Sequence, residues 1–177
     1  MKCLIPLFVL FIFSVSSIAL AEKDSVTTGP YNISFDLGVP RDNYMVTVNP
    51  QKEGSGVKTY GVSIVGQTGD ALRKAGIGLN YYTVAPPSTD WGETMKLVAH
   101  DLHLSNEGIE TRTIDGTTGG FVSGNLATKN YGSIKVYNAY YYSPIDPTHL
   151  LVTVTSSYPW EGETSGLLNT IHVEKVK

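Results

Sequence analysis

Two histidines, His100 and His103, have a spacing that could bind a metal ion. Three residues apart on a helix, their imidazoles lie close together on one face. A zinc site needs three or four ligands, and His149 or Glu93 would have to complete it, although nothing in the sequence places either of them there. The pattern favours two histidines on the solvated flank of an amphipathic helix, with no bound metal or other cofactor. A small metal-binding or hydrolytic protein that uses His100 and His103 is the alternative.

The common catalytic motifs are missing from the sequence. Ser123 lacks the glycine that should precede it in a nucleophile elbow. No Gly-Lys-Ser/Thr phosphate-binding loop occurs, and the Gly-x-Gly segments at 54–56 and 76–78 lack the third glycine of a dinucleotide fingerprint. We therefore predict no catalytic residues and a protein that is not an enzyme.

The 11 tyrosines are the strongest compositional signal. In the segment 134–142, Lys135, Tyr137 and Tyr141 share one face of an expected strand and alternate with Ile134 and Val136. An uncovered face of this kind would present an aromatic strip to a surface protein or to a small ligand such as a sugar, because tyrosine has an apolar body and a polar tip. The alternative is that both faces are covered and that tyrosine is simply a good strand residue.

The amino terminus has the pattern of a secretory signal. A basic Lys2 precedes an apolar run over 4–20, and the run ends in an Ala-x-Ala exit before the polar Glu22. We predict a signal peptide over 1–21, cleaved between Ala21 and Glu22, and hence a secreted or cell-surface protein. The alternative is an uncleaved membrane anchor, although the run is short beside the roughly 20 residues of a spanning helix. Asn32 begins an Asn-Ile-Ser sequon, a possible glycosylation site in an exported chain.

Composition excludes several classes of protein. The chain has 177 residues, 41% of them hydrophobic, and a formal net charge of −3. That balance is unlike a disordered chain and is typical of one domain. Its single cysteine, Cys3, lies in the expected leader, so the mature domain would have no thiol. A mildly acidic protein without basic clusters gains nothing from counterion release. We therefore expect no nucleic-acid partner, and a membrane association only if the leader stays uncleaved.

Two helices are expected to cover a sheet. Asp90 and Glu93 have the spacing of a capping box, which predicts a helix from there to about Ser105, and a second helix is expected over 163–173. Apolar–polar alternation predicts strands over 31–35, 44–48, 60–65, 77–83, 109–114, 119–124, 134–142 and 150–156.

Turn residues refine this pattern. Pro50 should end the second strand, because proline cannot donate to a strand ladder. Asp115-Gly116 predicts a hairpin, and the glycines of 119–124 suggest a bulge or a sharp twist. Because short loops join the strands, most pairs should be antiparallel.

The predicted fold class is α+β: a single twisted, mostly antiparallel sheet of about six to eight strands with two main helices packed on it. Residues 22–28 are expected to form a flexible segment, and residues 29–177 a single domain.

The order of motifs in the C-terminal half resembles a known family. Ile114-Asp115-Gly116 precedes a Gly-Gly-Phe segment and a tyrosine-rich strand that ends at Tyr142, and a closing helix with Leu167 and Leu168 follows the strand over 150–155. This order resembles the PsbP-like fold of the extrinsic photosystem II protein and of many small exported proteins. The resemblance implies an α/β/α sandwich over 29–177 but no site residues. The composition of the strands, rich in tyrosine, glycine and threonine behind a signal-like segment, also resembles that of small exported proteins of methanogenic archaea.

Together these features predict an exported, non-enzymatic binding or accessory domain at the cell surface. Its partner would be an unknown surface protein or a small ligand. The sharpest candidate site is the face of Lys135, Tyr137 and Tyr141.

Overall fold

The computed structural model describes residues 23–67, 74–87, 89–157 and 159–176. The predicted signal peptide and its cleavage site at Ala21 and Glu22 lie outside these ranges. The ten strands and two helices of the described residues follow one another along the chain as β1 (Asp24–Thr28), β2 (Tyr31–Phe35), β3 (Tyr44–Gly54), β4 (Val57–Gly66), β5 (Lys74–Tyr82), α1 (Trp91–Asp101), β6 (Ser105–Ile114), β7 (Thr117–Thr128), β8 (Gly132–Tyr142), β9 (Leu150–Ser157), α2 (Glu161–Thr170) and β10 (His172–Lys175).

Seven of these strands form one large sheet in the order β3-β4-β5-β9-β8-β7-β6. Every neighbouring pair in it is antiparallel, as the short connections predict. β9 lies at the centre of this sheet. The side chains of Leu150, Val152 and Val154, which alternate along β9, are buried in the main core. The two expected helices are also present, so the sheet-rich, antiparallel part of the fold prediction is confirmed.

The prediction of a single sheet is wrong, because β1, β2 and β10 form a second, three-stranded sheet. Val26 of β1 and Val173 of β10 both pair with Ile33 of β2, whose side chain is fully buried. Residues 22–28, expected to be flexible, thus contain a strand. The closing helix ends at Thr170 rather than at Val173, because the chain turns extended at Ile171 (ψ 135°) and continues as β10. With the second sheet, the molecule is mostly β rather than a clean α/β/α sandwich.

The large sheet has two faces with different covers. On the first, which we call the covered face, the small sheet and α2 enclose the main core. On the second, the open face, α1 packs over β6 and β7 and buries Met95, Ala99 and Val122 in a smaller core. No described helix or strand packs on the open face of β3, β4, β5 or β9.

Several local predictions hold. The Asp90 side chain accepts a hydrogen bond from the backbone N–H of Glu93 (3.2 Å) at the start of α1. Asp115 and Gly116 form the two-residue β6–β7 turn with positive φ angles of 49° and 75°, as an Asp-Gly turn requires.

Other local boundaries differ from the predictions. β3 continues past Pro50 to Gly54, which is possible because β3 is an edge strand and a register shift between Asn49 and Lys52 absorbs the proline. α1 ends at Asp101, before the expected Ser105, because His103 adopts a left-handed conformation (φ 53°) and the Leu104 N–H bonds back to the Ala99 carbonyl (2.9 Å).

The β7–β8 register is continuous from Gly119 to Thr128, but the β6–β7 register shifts between Ser105 and Gly108, opposite Gly124, so the expected bulge lies in the partner strand β6. The other glycines of the segment allow close packing. A Cβ on Gly120 would lie 2.7 Å from Met95 Cγ, and one on Gly119 would lie 2.7 Å from the carbonyl oxygen of Tyr140.

Candidate functional site

The predicted aromatic strip is not exposed. Tyr137 and Tyr141 lie on the covered face and are only 3% and 0% exposed, so the prediction of an open binding face there is wrong. The reason is that α2 and the small sheet cover this side of β8. Burial raises the pKa of the Tyr141 hydroxyl far above its ordinary value. Lys135 alone of the three is exposed, and its Nζ lies 3.2 Å from Glu161 Oε1.

A cleft of about 330 Å³ opens beside the start of α2 on the covered face, and Tyr137 lines it. The Arg112 guanidinium carbon lies 4.0 Å from the centre of the Phe121 ring, and its Nε donates to Glu110 Oε1 at 2.5 Å. Lys135 lies 5.4 Å from the centre of the Tyr137 ring. Each described cation at this cleft thus has a carboxylate partner, Arg112 with Glu110 and Lys135 with Glu161.

A larger groove lies on the open face, and we call it the open-face groove. Its volume is about 700 Å³, and it runs along the end of the sheet where β4, β7 and β9 finish and where β5 and β8 begin. The tip of the β7–β8 hairpin and Leu102, just after α1, form part of its wall. Ligand pockets typically have volumes of about 300–1,000 Å³. The groove is therefore of a size for a small organic molecule.

The floor of the groove is one row of the sheet. Ser63, Gly76, Thr155 and Asn138 are successive partners across β4, β5, β9 and β8. Gly76 has no side chain, and a Cβ there would lie 3.2 Å from Thr155 Oγ1. A glycine within a strand is typical of a place where another group approaches the backbone closely. At this row the floor is therefore polar, and at Gly76 a bound group can approach the backbone closely.

The walls of the groove are apolar. Leu126, Ile134 and Val136 come from the β7–β8 hairpin, and Val65 and Leu102 face them from β4 and from the end of α1. Val65 and Leu102 are among the exposed large hydrophobic residues of the protein. An apolar lining with a few polar groups is the usual composition of a ligand site.

Two lysines, Lys74 and Lys129, are the only charged residues among the described ones that line this groove. Neither forms an ion pair within the part of the chain that the structure describes. The described charges that line the groove are thus both positive, although the whole chain has a net charge of −3.

Asn138 adds an unusual polar group to the floor. Its side chain is 6% exposed and lines the groove, and its amide makes no hydrogen bond with any other described residue. The amide atoms are not sealed from solvent, because they keep access to the groove. The amide is therefore positioned to bind a solvent molecule or a ligand in the groove.

A group of half-buried aromatic residues lies at the opposite end of the open face. The rings of Trp91 and Tyr142 are 5.8 Å apart, and Tyr82 and Tyr140 lie near them. Burial, followed by the charge of a neighbouring tyrosine, raises the pKa of both Tyr82 and Tyr140. β8 does present tyrosines on the open face, but they are the residues that alternate with the predicted ones.

The histidine pair is on the surface. The rings of His100 and His103 are 6.5 Å apart, and among the described residues His100 has one acidic partner, its neighbour Asp101 at 3.4 Å. His149 instead pairs with Asp146 (3.1 Å) and stacks on the ring of Tyr81. The described residues contain no group of three or more metal-ligating side chains.

The sequon residue Asn32 lies in β2, the middle strand of the small sheet. Its Nδ2 donates to Glu174 Oε1 (2.9 Å), and its Oδ1 accepts from Ser25 Oγ (2.9 Å). A glycan on Nδ2 would compete with the bond to Glu174, and glycosylation of Asn32 stays a prediction.

In comparisons with known proteins, no family model matches this sequence and no curated protein matches it. Within the described ranges, no helix is both long and apolar enough to cross a membrane.

The residues of the open-face groove were missed by the sequence analysis. Lys74 and Lys129 lie in segments without any motif. One signal was present: Asn138 is the single amide in the otherwise tyrosine-rich and apolar second half of β8. An amide in a central strand needs a hydrogen-bond partner, which either the protein or a molecule in contact with its surface must provide.

Proposed function

We propose that this protein is an exported, non-enzymatic binding domain at the cell surface, and that it holds a small ligand with an apolar chain in the open-face groove. The observation that carries the proposal is the groove itself: about 700 Å³ on the part of the open face that α1 leaves uncovered. Export is supported by the signal-like pattern over 1–21.

The shape and lining of the groove favour a small molecule over a flat protein partner. Walls from the β7–β8 hairpin and from the end of α1 rise on one side of the sheet floor, so the surface is concave. Apolar side chains that are partly exposed in the free protein, such as Val65 and Leu102, lose contact with water when a ligand chain covers them. Burial of apolar area contributes roughly 25 cal/mol per Å² to such binding before the cost of association.

The test is a fluorescence titration with N-phenylnaphthylamine, an uncharged apolar dye that brightens in apolar surroundings. Thr155 is exposed and lies on the groove floor, so Thr155→Phe should fill the groove. Thr47 is an exposed threonine on the same face, on edge strand β3, and it does not line the groove. Thr47→Phe is therefore the matched control.

We expect the dye to bind the wild type and Thr47→Phe equally, and Thr155→Phe at least about tenfold more weakly, since blocking the groove removes more than about 1.4 kcal/mol of apolar contact. Circular dichroism should show that both variants are folded. Equal binding by all three proteins, or no binding by the wild type, would contradict the proposal.

Export is checked separately. Protein expressed in its native cells should be recovered outside the cytoplasmic membrane, with an intact mass that corresponds to an amino terminus at Glu22. A mass that includes residues 1–21 would show that the leader is retained.

A further inference from the structure

We infer that the ligand of the open-face groove is an anionic amphiphile, a long-chain carboxylate whose acid group lies near Lys74 and Asn138 and whose chain lies along the β7–β8 hairpin. This inference rests on the proposed function, because it names the class of ligand for the same site.

Charge is the first argument. Lys74 and Lys129 line the groove without an ion-pair partner among the described residues, and no described carboxylate lines it. Five of the other eight described lysines and arginines pair with acidic side chains, in Arg41–Asp24, Lys58–Glu53, Lys96–Glu93, Arg112–Glu110 and Lys135–Glu161, and Lys23, Lys52 and Lys175 do not. Lys74 and Lys129 differ from these three because they line the same groove, and no described carboxylate lines it with them. Two lysines without partners around one groove create a positive potential inside an acidic protein, and this attracts an anion.

The position of Lys74 relative to Asn138 is the second argument. Lys74 lies two residues before Gly76 on the same side of β5, and Gly76 leads through Thr155 to Asn138 in one row of the sheet. Neighbouring strands are about 4.8 Å apart, so Asn138 lies two strands, or about 10 Å, across the floor from β5. A lysine side chain is long and flexible, so an acid group over Thr155, one strand from both Gly76 and Asn138, could accept hydrogen bonds from both the ammonium and the amide.

The Asn138 amide, which has no hydrogen-bond partner among the described residues, also favours an anion. A wholly apolar ligand would displace solvent from the groove and leave Asn138 buried without a partner, which is unfavourable. A carboxylate accepts from the Asn138 amide and also neutralises Lys74. Charge-assisted hydrogen bonds of this kind are roughly twice as strong as neutral ones.

The apolar walls of the groove indicate where the hydrocarbon chain of the ligand would lie. From Asn138, side chains on the same face of β8 continue through Val136 to Ile134, and Leu126 is the direct partner of Ile134 on β7. Tyr131, at the tip of the hairpin, closes this end of the groove and is exposed in the free protein. The row of apolar residues therefore leads away from the acid group along one line.

The experiment is calorimetric titration of the full chain with dodecanoate, dodecanol and dodecyltrimethylammonium, each below its micelle concentration. The three probes share one chain length and differ in the charge of the head group. We expect dodecanoate to bind about tenfold more tightly than dodecanol, and the cationic probe to bind most weakly. Added salt should weaken only the binding of dodecanoate.

Variants locate the acid group. Lys74→Gln and Asn138→Leu should each weaken dodecanoate about tenfold and weaken dodecanol by a smaller factor, since the carboxylate is charged and the hydroxyl is not. Lys129→Gln is the matched control at the far end of the groove and should have a smaller effect. Lys129→Gln having the larger effect would overturn the placement of the head group.

The outcomes separate this inference from the proposed function. Equal affinity for dodecanoate and dodecanol, or no binding of dodecanoate, overturns the inference. If N-phenylnaphthylamine still binds in a way that Thr155→Phe blocks, the proposed function survives that result. If neither the dye nor any amphiphile binds, both are wrong.

Discussion

The contact between Asp115 and β10 joins the two sheets, and its removal should destabilise the whole domain. Asp115 lies at the tip of the β6–β7 hairpin, and its side chain is only 5% exposed. Its Oδ2 accepts a hydrogen bond from the backbone N–H of Val173 (3.2 Å), and its Oδ1 lies 2.8 Å from His172 Nδ1. The carboxylate therefore gives the Val173 N–H, on the outer edge of β10, a hydrogen-bond acceptor. It also links the small sheet to the β6–β7 hairpin of the large one.

The magnitude follows from two separate costs. Asp115→Ala leaves the Val173 N–H without its partner, at a cost of about 1–3 kcal/mol. The φ of Asp115 is +49°, a left-handed conformation that costs alanine roughly 1 kcal/mol or more. We therefore expect Asp115→Ala to lower the free energy of unfolding by about 2–4 kcal/mol. The His172 pair adds little, because the His172 side chain is half exposed and such pairs contribute about 0–1 kcal/mol.

The assay is urea unfolding followed by circular dichroism. Asp115→Gly should lose the same hydrogen bonds without the φ penalty, and so should be about 1 kcal/mol more stable than Asp115→Ala. Asp115→Asn keeps a carbonyl acceptor and tolerates the left-handed conformation, and we expect a loss of about 1 kcal/mol. A change below about 0.5 kcal/mol in Asp115→Ala would refute the coupling of the sheets. Equal stability of the alanine and glycine variants would refute the φ argument.

Three further predictions concern packing and pH. Gly120→Ala should cost about 1–3 kcal/mol through overlap with Met95, and the cost should shrink in the double variant with Met95→Ala, as a double-mutant cycle in urea would show. Partial burial opposes ionisation of Asp146, but hydrogen bonds from His149 outweigh it and lower its pKa. Its ionised form therefore stabilises the fold above the ordinary aspartate pKa of about 3.9. That stabilisation should disappear as the pH falls through the lowered pKa of Asp146 in the folded protein. In an unfolding series at decreasing pH, Asp146→Asn should therefore lose less free energy of unfolding than the wild type. Burial raises the pKa of Tyr31 to about 12. The stabilisation that its neutral hydroxyl form gives the fold is therefore complete below about pH 10 and is lost as the pH rises towards 12. An ultraviolet titration should show one fewer late-ionising tyrosine in Tyr31→Phe.

Much of the large sheet could be predicted from local sequence. Strict alternation in β4, β5 and β9 places every second residue in the core, and the Asp115-Gly116 turn and the Asp90 cap are set by local chemistry. These features depend on residues close together in the chain, which is why they are readable without the fold.

The second sheet could not be predicted in the same way. β1 and β10 are short, and each is held by pairing with β2, which for β10 is more than a hundred residues away in the chain. The pattern over 163–173 suits a helix by its apolar side, and only the pairing of Val173 with Ile33 makes its end extended. Tertiary pairing overrides a local preference here.

The candidate site was misplaced for a related reason. Alternation correctly separates Tyr137 and Tyr141 from Val136 and Tyr140, but it does not say which face is covered. Both faces of β8 carry apolar residues, so the choice depends on where α1, α2 and the small sheet pack. The groove further depends on Lys74 and Asn138, and only the sheet order brings their strands, β5 and β8, to either side of β9.

The two outer strands of the large sheet bear on how this protein can meet its partners. An edge strand with free N–H and C=O groups invites a foreign strand to pair with it. Pro50 has no N–H to offer on β3, and the register of each edge strand is broken, between Asn49 and Lys52 and between Ser105 and Gly108. Such irregular edges discourage growth of the sheet from molecule to molecule and disfavour peptide capture by strand addition. The faces of the large sheet, rather than its two edge strands, are therefore the surfaces that favour contact with another molecule.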